Sequence, residues 1–348
     1  MSLLIYGVTG YTGRLIVQRA LSVGLRPILG GRDHASVRTL AQSHGLPFHV
    51  ASLHDTAALD TLFADATVLL HCAGPFSHTY KPMLEACLRH RVHYLDVTGE
   101  LEVFEAIAKR DDEAKAAGIM LMPGTGFDVV PSDCLAAHLH ARLPEATSLA
   151  LGFRAIGGVS RGTALTMVEN LGRPGWIREH GVLRPVPAAF HTRTIDFGDG
   201  PKLGVTIPWG DVSTAYHSTG IGNVRVYMSV HPKQLVMLKR SRALGWLLRS
   251  GFVQRRLANK VRAAPSGPSD RARAAGASLL WGEATAPDGR VVTSRLRGPE
   301  GYTLTADTAI RIAQRVLSGN APRGFQTPSR AYGADFVLES PGVSRTDG

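Results

Sequence analysis

The chain has 348 residues, a hydrophobic share of 44% and a formal net charge of +11. This length leaves room for two domains with a sizeable core, and the composition is that of a globular protein. No apolar run is long enough to span a bilayer, the three cysteines lack a C-x-x-C pairing, and the histidines lack metal-ligand spacing. We therefore expect a cytoplasmic protein without a disulfide framework or a bound metal.

A glycine-rich turn lies near the start of the chain. It follows the apolar run 3–6 and precedes an amphipathic stretch, and its glycines have the spacing G-x-x-G-x-x-G. A strand, a glycine turn and a helix in this order are the context of a dinucleotide fingerprint. Glycines let the backbone approach a pyrophosphate, and the free N–H groups of the helix N-terminus attract it. The predicted phosphate-binding residues are Gly7, Thr9, Gly10, Tyr11, Thr12 and Gly13.

The end of the second predicted strand, 26–29, bears on the choice of cofactor. An Asp or Glu at this end usually holds the ribose 2′-OH of NAD, but Gly30 and Gly31 stand there instead. The guanidinium of Arg32 can grip a 2′-phosphate in bidentate fashion, which favours NADP(H). In the alternative interpretation, Arg32 is a solvated loop residue and Asp33 binds the ribose.

Residues 1–146 alternate apolar strands with amphipathic helices. This alternation predicts an α/β Rossmann domain with a doubly wound parallel sheet, whose ligands lie at the carboxyl ends of the strands. The predicted strands span 3–6, 26–29, 47–50, 67–72, 93–96 and 119–122, and the predicted helices span 11–23, 35–44, 56–63, 80–90, 101–117 and 132–142.

The pattern changes in residues 147–300, where strands follow one another without regular crossover helices. We expect an α+β substrate domain with a mostly antiparallel sheet and one helix at 162–171. The predicted strands span 149–154, 190–196, 204–208, 213–217, 223–230, 276–283 and 291–296. Residues 301–338 contain a strong amphipathic helix, 304–318, that we expect to return to the first domain. The tail 339–348 is predicted to be flexible.

The end of the fourth strand is expected to pass beneath the nicotinamide. Small residues there let the backbone approach the cofactor, and proline stiffens the turn. The residues predicted to bind this end of the cofactor are Ala73, Gly74, Pro75 and Phe76.

The proton donor is less well defined by the sequence. No tyrosine has a lysine four positions later, so Tyr80 is the best candidate acid, with a packing tyrosine at a helix start as the alternative. Asp128 either orients the substrate or caps the helix that follows, and the cap is favoured. Asp96 and Glu100 either contact the cofactor ribose or hold their loop together. Cys72 is interpreted as a small apolar residue near the cofactor.

Residues 233–262 form a basic and amphipathic segment. No Asp or Glu occurs between Asp211 and Asp270, while Lys and Arg interleave with apolar residues. Such a segment can lie on an anionic membrane surface. The alternative, which we favour on the sequence, is a helical pair that covers the substrate domain and keeps a solvated basic face. No fold or motif for nucleic-acid binding is present.

Several motifs together resemble the saccharopine dehydrogenase-like oxidoreductases, and within them the branch of trans-acting enoyl reductases and lipid-associated proteins. The resemblance rests on the runs 7–13, 72–76, 93–100, 124–133 and 301–305. It implies a Rossmann domain, an inserted substrate domain, a returning C-terminal helix and NADPH as reductant. The enoyl reductase relatives reduce a C=C bond in a thioester-bound lipid intermediate made by a polyketide synthase. Lys81 stands where relatives often have Gly, a difference that bears on the substrate rather than on the fold.

Three functions follow from these observations. The first is an NADPH-dependent oxidoreductase that transfers hydride to an apolar acyl or lipid-like substrate. The second is a non-catalytic NADP(H)-binding protein attached to a membrane or partner surface through 233–262. The third is saccharopine-type amino-acid chemistry, with Arg154, Arg161 and Arg173 as candidate carboxylate ligands. The sequence leaves open the reaction direction and a homodimer.

Overall fold

The computed structural model describes residues 2–242 and 244–348, without the side chain of Ser241. The chain divides into two compact units. The first comprises the described residues of Met1–Val130 together with Tyr302–Ala331, and the second comprises those of Pro131–Gly301 together with Tyr332–Gly348. The boundary between Val130 and Pro131 thus precedes the helix predicted at 132–142, which the sequence assigns to the Rossmann domain.

Strand and helix alternate through the first 122 residues. Strands β1 to β6 span Leu3–Tyr6, Ile28–Gly31, Phe48–Val50, Val68–His71, His93–Asp96 and Met120–Met122, and helices α1 to α6 span Tyr11–Ser22, His34–His44, Thr56–Phe63, Phe76–His90, Leu101–Ala108 and Asp111–Ala117.

These six strands form one parallel sheet in the order β6-β5-β4-β1-β2-β3. Strands β1 and β4 are buried along their whole length, which explains why they are continuous apolar runs rather than alternating ones. The chain leaves β1 toward one side of the sheet and returns at β4 on the other. The strand order reverses between β1 and β4, and such a point is where open α/β sheets bind ligands. The predicted Rossmann fold is confirmed.

The second unit is richer in strands. Its elements are α7 Val130–Arg142, β7 Ser148–Ile156, α8 Arg161–Asn170, β8 Gly175–Glu179, β9 Val182–Val186, β10 Thr192–Asp196, β11 Pro201–Thr206, α9 Asp211–Thr219, β12 Asn223–Ser229, α10 Pro232–Ser241, α11 Gly245–Leu248, α12 Gly251–Arg262, α13 Asp270–Ala274, β13 Ala277–Thr285 and β14 Val291–Pro299.

The central strands of this unit lie in the order β10-β11-β12-β7-β13-β14, with β8 and β9 joined to the sheet through β12. Among the pairs of described strands in this sheet, only β7 and β12 run parallel, in agreement with the predicted antiparallel character. The strand predicted at 213–217 is wrong, because these residues belong to α9. Val212 and Ala215 are buried one helical turn apart, and Gly220 ends the helix in the left-handed conformation at φ 74°.

The last elements divide between the two units. They are α14 Gly301–Leu317, β15 Gly324–Phe325, α15 Pro328–Tyr332, a 3-10 helix at Phe336–Glu339 and β16 Ser344–Asp347. Strand β15 extends the first sheet beside β6.

Helix α14 packs in the first unit, as predicted. The Thr308 hydroxyl donates to the Thr125 carbonyl at 2.8 Å, and the Phe127 N–H donates to the Thr305 hydroxyl at 2.9 Å. Arg19 of α1 forms a 2.6 Å ion pair with Asp307. These contacts fix α14 against the β6–α7 loop and against α1.

The tail differs from the flexible segment predicted for 339–348. Strand β16 pairs antiparallel with β14, and the Asp347 carboxylate accepts a 2.7 Å hydrogen bond from Ser294. An edge strand joined by main-chain hydrogen bonds needs little apolar surface of its own, so the polar sequence of β16 does not show the alternation that predicts a strand.

Among the described residues, no helix combines the length and the apolar character needed to cross a membrane.

Candidate nucleotide site and reaction edge

The turn between β1 and α1 has the geometry that a phosphate loop requires. Gly7 adopts φ 91°, and a Cβ there would lie 2.8 Å from the Ala73 backbone nitrogen, so only glycine fits. A Cβ at Gly13 would collide with the Gly7 carbonyl oxygen, so this glycine allows α1 to pack closely on the turn. A Cβ at Gly10 would meet only the Gly7 carbonyl oxygen, at 3.3 Å, and Gly10 is exposed.

The N-terminus of α1 is suited to an anion. Gly10 is the N-cap residue and provides no side chain to cap the helix, and no acidic residue lies in the first turn. The neighbouring predicted residues Thr9, Tyr11 and Thr12 are partly exposed. Backbone N–H groups and the positive end of the helix dipole therefore face an open turn, which fits a pyrophosphate.

The end of β2 fits a 2′-phosphate better than a free ribose hydroxyl. A Cβ at Gly31 would lie 2.8 Å from Val37 Cγ2, so a side chain such as that of Asp or Glu would require the buried Val37 to shift. Arg32 is exposed and has no hydrogen bond or ion pair within the described chain. Asp33 accepts a 2.8 Å hydrogen bond from the Ser36 N–H as the N-cap of α2, and hydrogen bonding from the Ser36 side chain and then from this N–H lowers the pKa of its carboxyl.

Side-chain hydrogen bonds fix the loop that follows β4. The Thr79 hydroxyl donates to the Ala73 carbonyl at 2.7 Å, and His71 Nε2 lies 3.0 Å from the same hydroxyl. Burial lowers the pKa of His71 to about 3, so its ring is neutral at pH 7. The ring of Phe76 meets that of His71 edge-on, and a Cβ at Gly74 would lie 3.3 Å from Phe76. The predicted run 73–76 is therefore a rigid, small-residue edge.

Glu100 serves to fix this loop. Its carboxylate accepts hydrogen bonds from the backbone N–H groups of Phe76, at 2.7 Å, and Ser77, at 2.8 Å. It thereby satisfies two N–H groups at the start of α4 and complements the helix dipole. Of the two roles that the sequence leaves open for Glu100, the structure favours the structural one.

Asp96 has a similar role at the end of β5. Its carboxylate accepts hydrogen bonds from the Tyr94 hydroxyl at 2.6 Å, the Thr98 N–H at 2.9 Å and the Gly124 N–H at 2.8 Å. Burial raises its pKa to about 6 despite these bonds. Asp96 therefore ties the β5 and β6 loops together.

Tyr80 and Cys72 lie near the edge, but their surroundings do not favour proton chemistry. Tyr80 is partly buried and packs against the hydrophobic core of the first unit, which favours the packing interpretation. Burial raises the pKa of the Cys72 thiol far above its usual range, with a smaller contribution from Asp96. The thiol is therefore neutral and behaves as a small apolar group, as predicted.

Asp128 lies in the loop that joins β6 to α7. The N-cap role favoured on the sequence is not formed, because its carboxyl accepts no hydrogen bond from any described residue. A Cβ at Gly99 would lie 3.0 Å from Asp128 Oδ2, so the carboxyl rests against the glycine that follows β5. The residue is half-buried, and burial raises its pKa to about 7.

The second unit has a polar cavity of its own, with a volume of about 390 Å³. Arg193 forms two 3.0 Å hydrogen bonds to Glu283 and lies over the Trp281 ring, 4.6 Å from its centroid. Arg225 also lines the cavity, and it pairs with no carboxylate in the described chain. The lining residues are spread from residue 148 to residue 285, so no local motif could predict them. Arg154, a candidate carboxylate ligand on the sequence, is paired with Asp199 instead.

The parallel sheet, its strand order and the uncapped glycine turn together define the first unit as a dinucleotide-binding Rossmann domain. Comparison with known families gives a narrower assignment. Residues 3–122 match the family described as the saccharopine dehydrogenase NADP binding domain. Over these residues the first unit is similar to the NADP-binding domain of saccharopine dehydrogenases, and the predicted resemblance and cofactor class are confirmed.

Curated relatives support the same assignment. The chain is 32% identical over 151 residues to the trans-acting enoyl reductase of Mycobacterium leprae, covering 41% of this chain and 36% of the relative. It is 28% identical over 217 residues to the enzyme of the same name from Mycobacterium bovis, covering 58% and 51%. It is also 22% identical over 151 residues to the human saccharopine dehydrogenase-like oxidoreductase, covering 38% and 35%. The aligned part thus spans about half or less of each of these relatives.

Solved structures are similar in fold over the whole chain. The apo saccharopine dehydrogenase (L-Glu forming) of Saccharomyces cerevisiae has a TM-score of 0.65 at 14% identity and covers 100% of this chain and 99% of its own. The homospermidine synthase of Legionella pneumophila, solved with NAD, has a TM-score of 0.63 at 10% identity, with coverage of 99% and 91%. At these identities the likeness establishes the shared fold.

Proposed function

We propose that the chain is an NADPH-dependent oxidoreductase that reduces a C=C or C=O bond of an apolar acyl or lipid-like substrate. The observation that supports it best is the pairing of an NADP-binding domain with a rigid edge after β4, β5 and β6. NADPH supplies hydride when it is bound. The chain's own residues position both reactants and provide a proton.

The proposed cofactor contacts follow from the geometry of the first unit. The turn 7–13 binds the pyrophosphate, Arg32 binds the 2′-phosphate, and the edge 73–76 lies under the nicotinamide. Each of these segments has the space or the unpaired donor that its role requires. Saccharopine-type chemistry is a weaker proposal, because Arg154 is already paired with Asp199.

The acyl substrate class is proposed from the relatives. The relatives that are 32% and 30% identical to the chain are named trans-acting enoyl reductases. This name describes those proteins, and the chain covers only part of their length, so the substrate of this chain needs its own measurement. NADPH oxidation with a series of enoyl and carbonyl acyl thioesters of increasing chain length would provide it. Amino-acid substrates that support faster turnover would favour the saccharopine-type alternative.

The cofactor assignment is tested by titrating NADPH and NADH into the wild type and Arg32→Ala. We expect NADPH to bind more tightly to the wild type and this preference to collapse in the variant, because the 2′-phosphate loses its guanidinium. Arg323→Ala is a matched control, since Arg323 is also exposed but precedes β15 at the amino end of the sheet. Equal affinities for the two nucleotides in the wild type would contradict the proposal.

A membrane-attached NADP(H)-binding protein is the second candidate, and the exposure of segment 233–262 favours membrane contact. Its Lys and Arg side chains are all exposed. So are six large apolar side chains, Val236, Met237, Leu244, Trp246, Leu247 and Phe252, with exposures from 40% to 71%. A solvated basic face does not need exposed aromatic residues, whereas an anionic lipid surface accommodates both groups.

Membrane contact is tested by cosedimentation with phosphatidylglycerol and phosphatidylcholine vesicles. We expect binding to the anionic vesicles only, a decrease at high salt, and a further decrease in the double variant Trp246→Ala/Phe252→Ala. Val291→Ala, an exposed apolar position on β14, is the control. If the wild type binds neither vesicle, the segment is a solvated helical cover, and if it binds without NADPH turnover, the non-catalytic function is favoured.

A further inference from the structure

Reduction of a double bond needs a proton as well as a hydride, and most acids at the edge are unsuited to give one. Asp96 and Glu100 are held by hydrogen-bond donors of the chain itself. His71 is fully buried and bonded to Thr79, and Tyr80 packs against the core. A proton donor must reach the substrate and be free to change its charge.

Asp128 differs from all of these groups in its contacts. It is the acid of the β6–α7 loop whose carboxyl has no hydrogen-bond partner among the described residues, and it is only half-buried. Its position is nevertheless well defined, because it rests on Gly99 directly after β5, where a Cβ would approach its Oδ2 to 3.0 Å. A side chain at position 99 would force the carboxyl to shift by a few tenths of an ångström.

The loop that bears Asp128 is firmly anchored on both sides. Gly124 donates to Asp96 at 2.8 Å, and the Thr125 N–H donates to the Asp96 carbonyl at 2.7 Å. On the other side, Phe127 donates to Thr305 of α14 at 2.9 Å. A fixed backbone with an unpartnered carboxyl at its tip is the arrangement that proton transfer at a defined point requires.

We propose that Asp128 is the proton donor of the NADPH-dependent reduction, an inference that rests on the proposed oxidoreductase function. The O–H bond of its protonated carboxyl breaks as a new bond forms between that proton and the substrate atom that does not receive the hydride. The electron pair of the O–H bond stays on Asp128, which becomes a carboxylate. Water that reaches the partly buried Asp128 then returns a proton to its carboxylate, so one substrate molecule is reduced by one hydride and one solvent proton.

The electrostatic surroundings of Asp128 suit this role. Burial alone raises its pKa to about 7, and no charged neighbour contributes to the shift. On the β5 side, the acidic groups Asp96 and Glu100 are both engaged by hydrogen bonds. A carboxyl with this pKa is available in both protonation states near neutral pH, as a general acid needs to be.

The first test does not depend on turnover. Infrared spectra of the protein without nucleotide, recorded from pH 4 to pH 9, are compared for the wild type and Asp128→Asn. We expect the wild type to lose a protonated-carboxyl band near pH 7 that the variant lacks, while a second band, from Asp96, titrates near pH 6 in both proteins. Asp112→Asn, a fully exposed acid on α6, is the control and should leave both bands in place. Identical spectra for the wild type and Asp128→Asn overturn the proposal.

The second test uses the acyl substrate that gives turnover. Asp128→Asn should lower kcat about 100-fold or more, with an NADPH Kd within about twofold of the wild type. The wild-type kcat should fall as the pH rises through about 7, because the protonated form is the active one. Tyr80→Phe should retain kcat. An Asp128→Asn variant with normal kcat overturns the proposal.

The two tests separate failure of the proton donor from failure of the proposed function. A wild type that binds NADPH but reduces no acyl or amino-acid substrate contradicts the oxidoreductase function and, with it, the donor role. Normal wild-type turnover with unchanged kcat in Asp128→Asn contradicts the donor role alone. If kcat falls in Asp128→Asn but its pH profile is the same as that of the wild type, Asp128 orients the substrate and the donor role is likewise overturned.

Discussion

The carboxyl edge of the first sheet and the cavity of the second unit are built in different ways. At the edge, glycine backbone comes close to neighbouring strands, and carboxylates such as Glu100 fix loops through backbone N–H groups. In the cavity, charged side chains on strand faces pair with one another, as Arg193 does with Glu283. The structure of the edge therefore requires small residues at crowded positions, whereas that of the cavity requires oppositely charged side chains to remain paired. The two regions should respond differently to substitution.

The largest effect is expected at Gly7, where close neighbours and a positive φ coincide. Gly7→Ala should destabilise the protein by about 3 kcal/mol, because the new Cβ meets the Ala73 nitrogen at 2.8 Å and the residue keeps φ 91°. NADPH binding should be lost in the same variant, since the turn has to shift. Chemical denaturation and NADPH titration measure the two effects.

A matched control separates crowding from backbone strain. Gly24 also has a positive φ, 79°, but a Cβ there would meet nothing within 4 Å. Gly24→Ala should therefore cost about 1 kcal/mol and leave NADPH binding intact. Equal losses in the two variants would mean that the edge does not depend on space.

The next effect concerns Asp128 and the pH dependence of stability. Its pKa is raised to about 7 in the folded protein from a usual value of 3.8, so the folded state binds more protons between these values and this residue lowers stability as the pH rises. Asp128→Asn removes that penalty. Relative to wild type, the variant should gain about 2 kcal/mol between pH 4 and pH 8, a figure reduced for the half-exposed carboxyl.

Denaturation of both proteins at a series of pH values measures this difference. Taking the difference between them cancels the carboxyls whose pKa is lowered, such as Asp33 and Asp60, which act in the opposite direction. A variant-to-wild-type difference that stays constant with pH would show that the carboxyl is solvated in the folded protein.

In the second unit, a smaller and purely electrostatic effect is expected. Glu283→Gln should destabilise by about 1 kcal/mol, because the partly buried Arg193 loses its two charge-assisted bonds. NADPH affinity should not change. Glu179→Gln, whose pair with Arg184 is more exposed, is the control and should cost less than about 0.5 kcal/mol. Loss of NADPH binding in Glu283→Gln would contradict the separation of the two regions.

Most elements of the first unit could be predicted from the sequence, because they depend on local patterns. In the first unit, strands buried on both faces are apolar runs and helices are amphipathic, so most bounds are predicted within two residues. Helix α4 begins at Phe76 rather than at residue 80, because Glu100, distant in sequence, binds its first N–H groups. Asp128 was recognisable as a polar residue at a strand end, but its missing cap interaction depends on three-dimensional geometry.

The second unit was harder to predict because its signals are not local. Strand β9 exposes most of its residues, so the β8–β9 hairpin lacks the alternation that indicates a strand. The residues of α9 include several that favour strands, and the helix is decided by the burial of Val212 and Ala215. The cavity brings together side chains from five strands that are distant in sequence, so no motif of fixed spacing could predict it.

The smallest effect is expected at the last strand, which was predicted to be flexible. Asp347 accepts a hydrogen bond from Ser294 at 2.7 Å, lies 2.8 Å from His138 Nε2 and is 3.2 Å from Arg142. Asp347→Ala should cost about 0.5 kcal/mol at pH 7, because the carboxylate is about half exposed. These contacts, led by the Ser294 bond, lower the pKa of Asp347. The difference in stability between Asp347→Ala and the wild type should therefore disappear as the pH falls below the pKa of a free aspartate.

Amide exchange provides the structural readout for this strand. The N–H groups of residues 344–347 that pair with β14 should exchange more slowly than those of an unstructured peptide, and faster in Asp347→Ala. Asp112→Ala, which removes a fully exposed acid on α6, is the control for a general loss of charge. Because main-chain pairing is independent of the side chains, protection should decrease only partly in Asp347→Ala. Complete loss would mean that the Asp347 contacts, and not the β14–β16 ladder, hold the tail on the sheet.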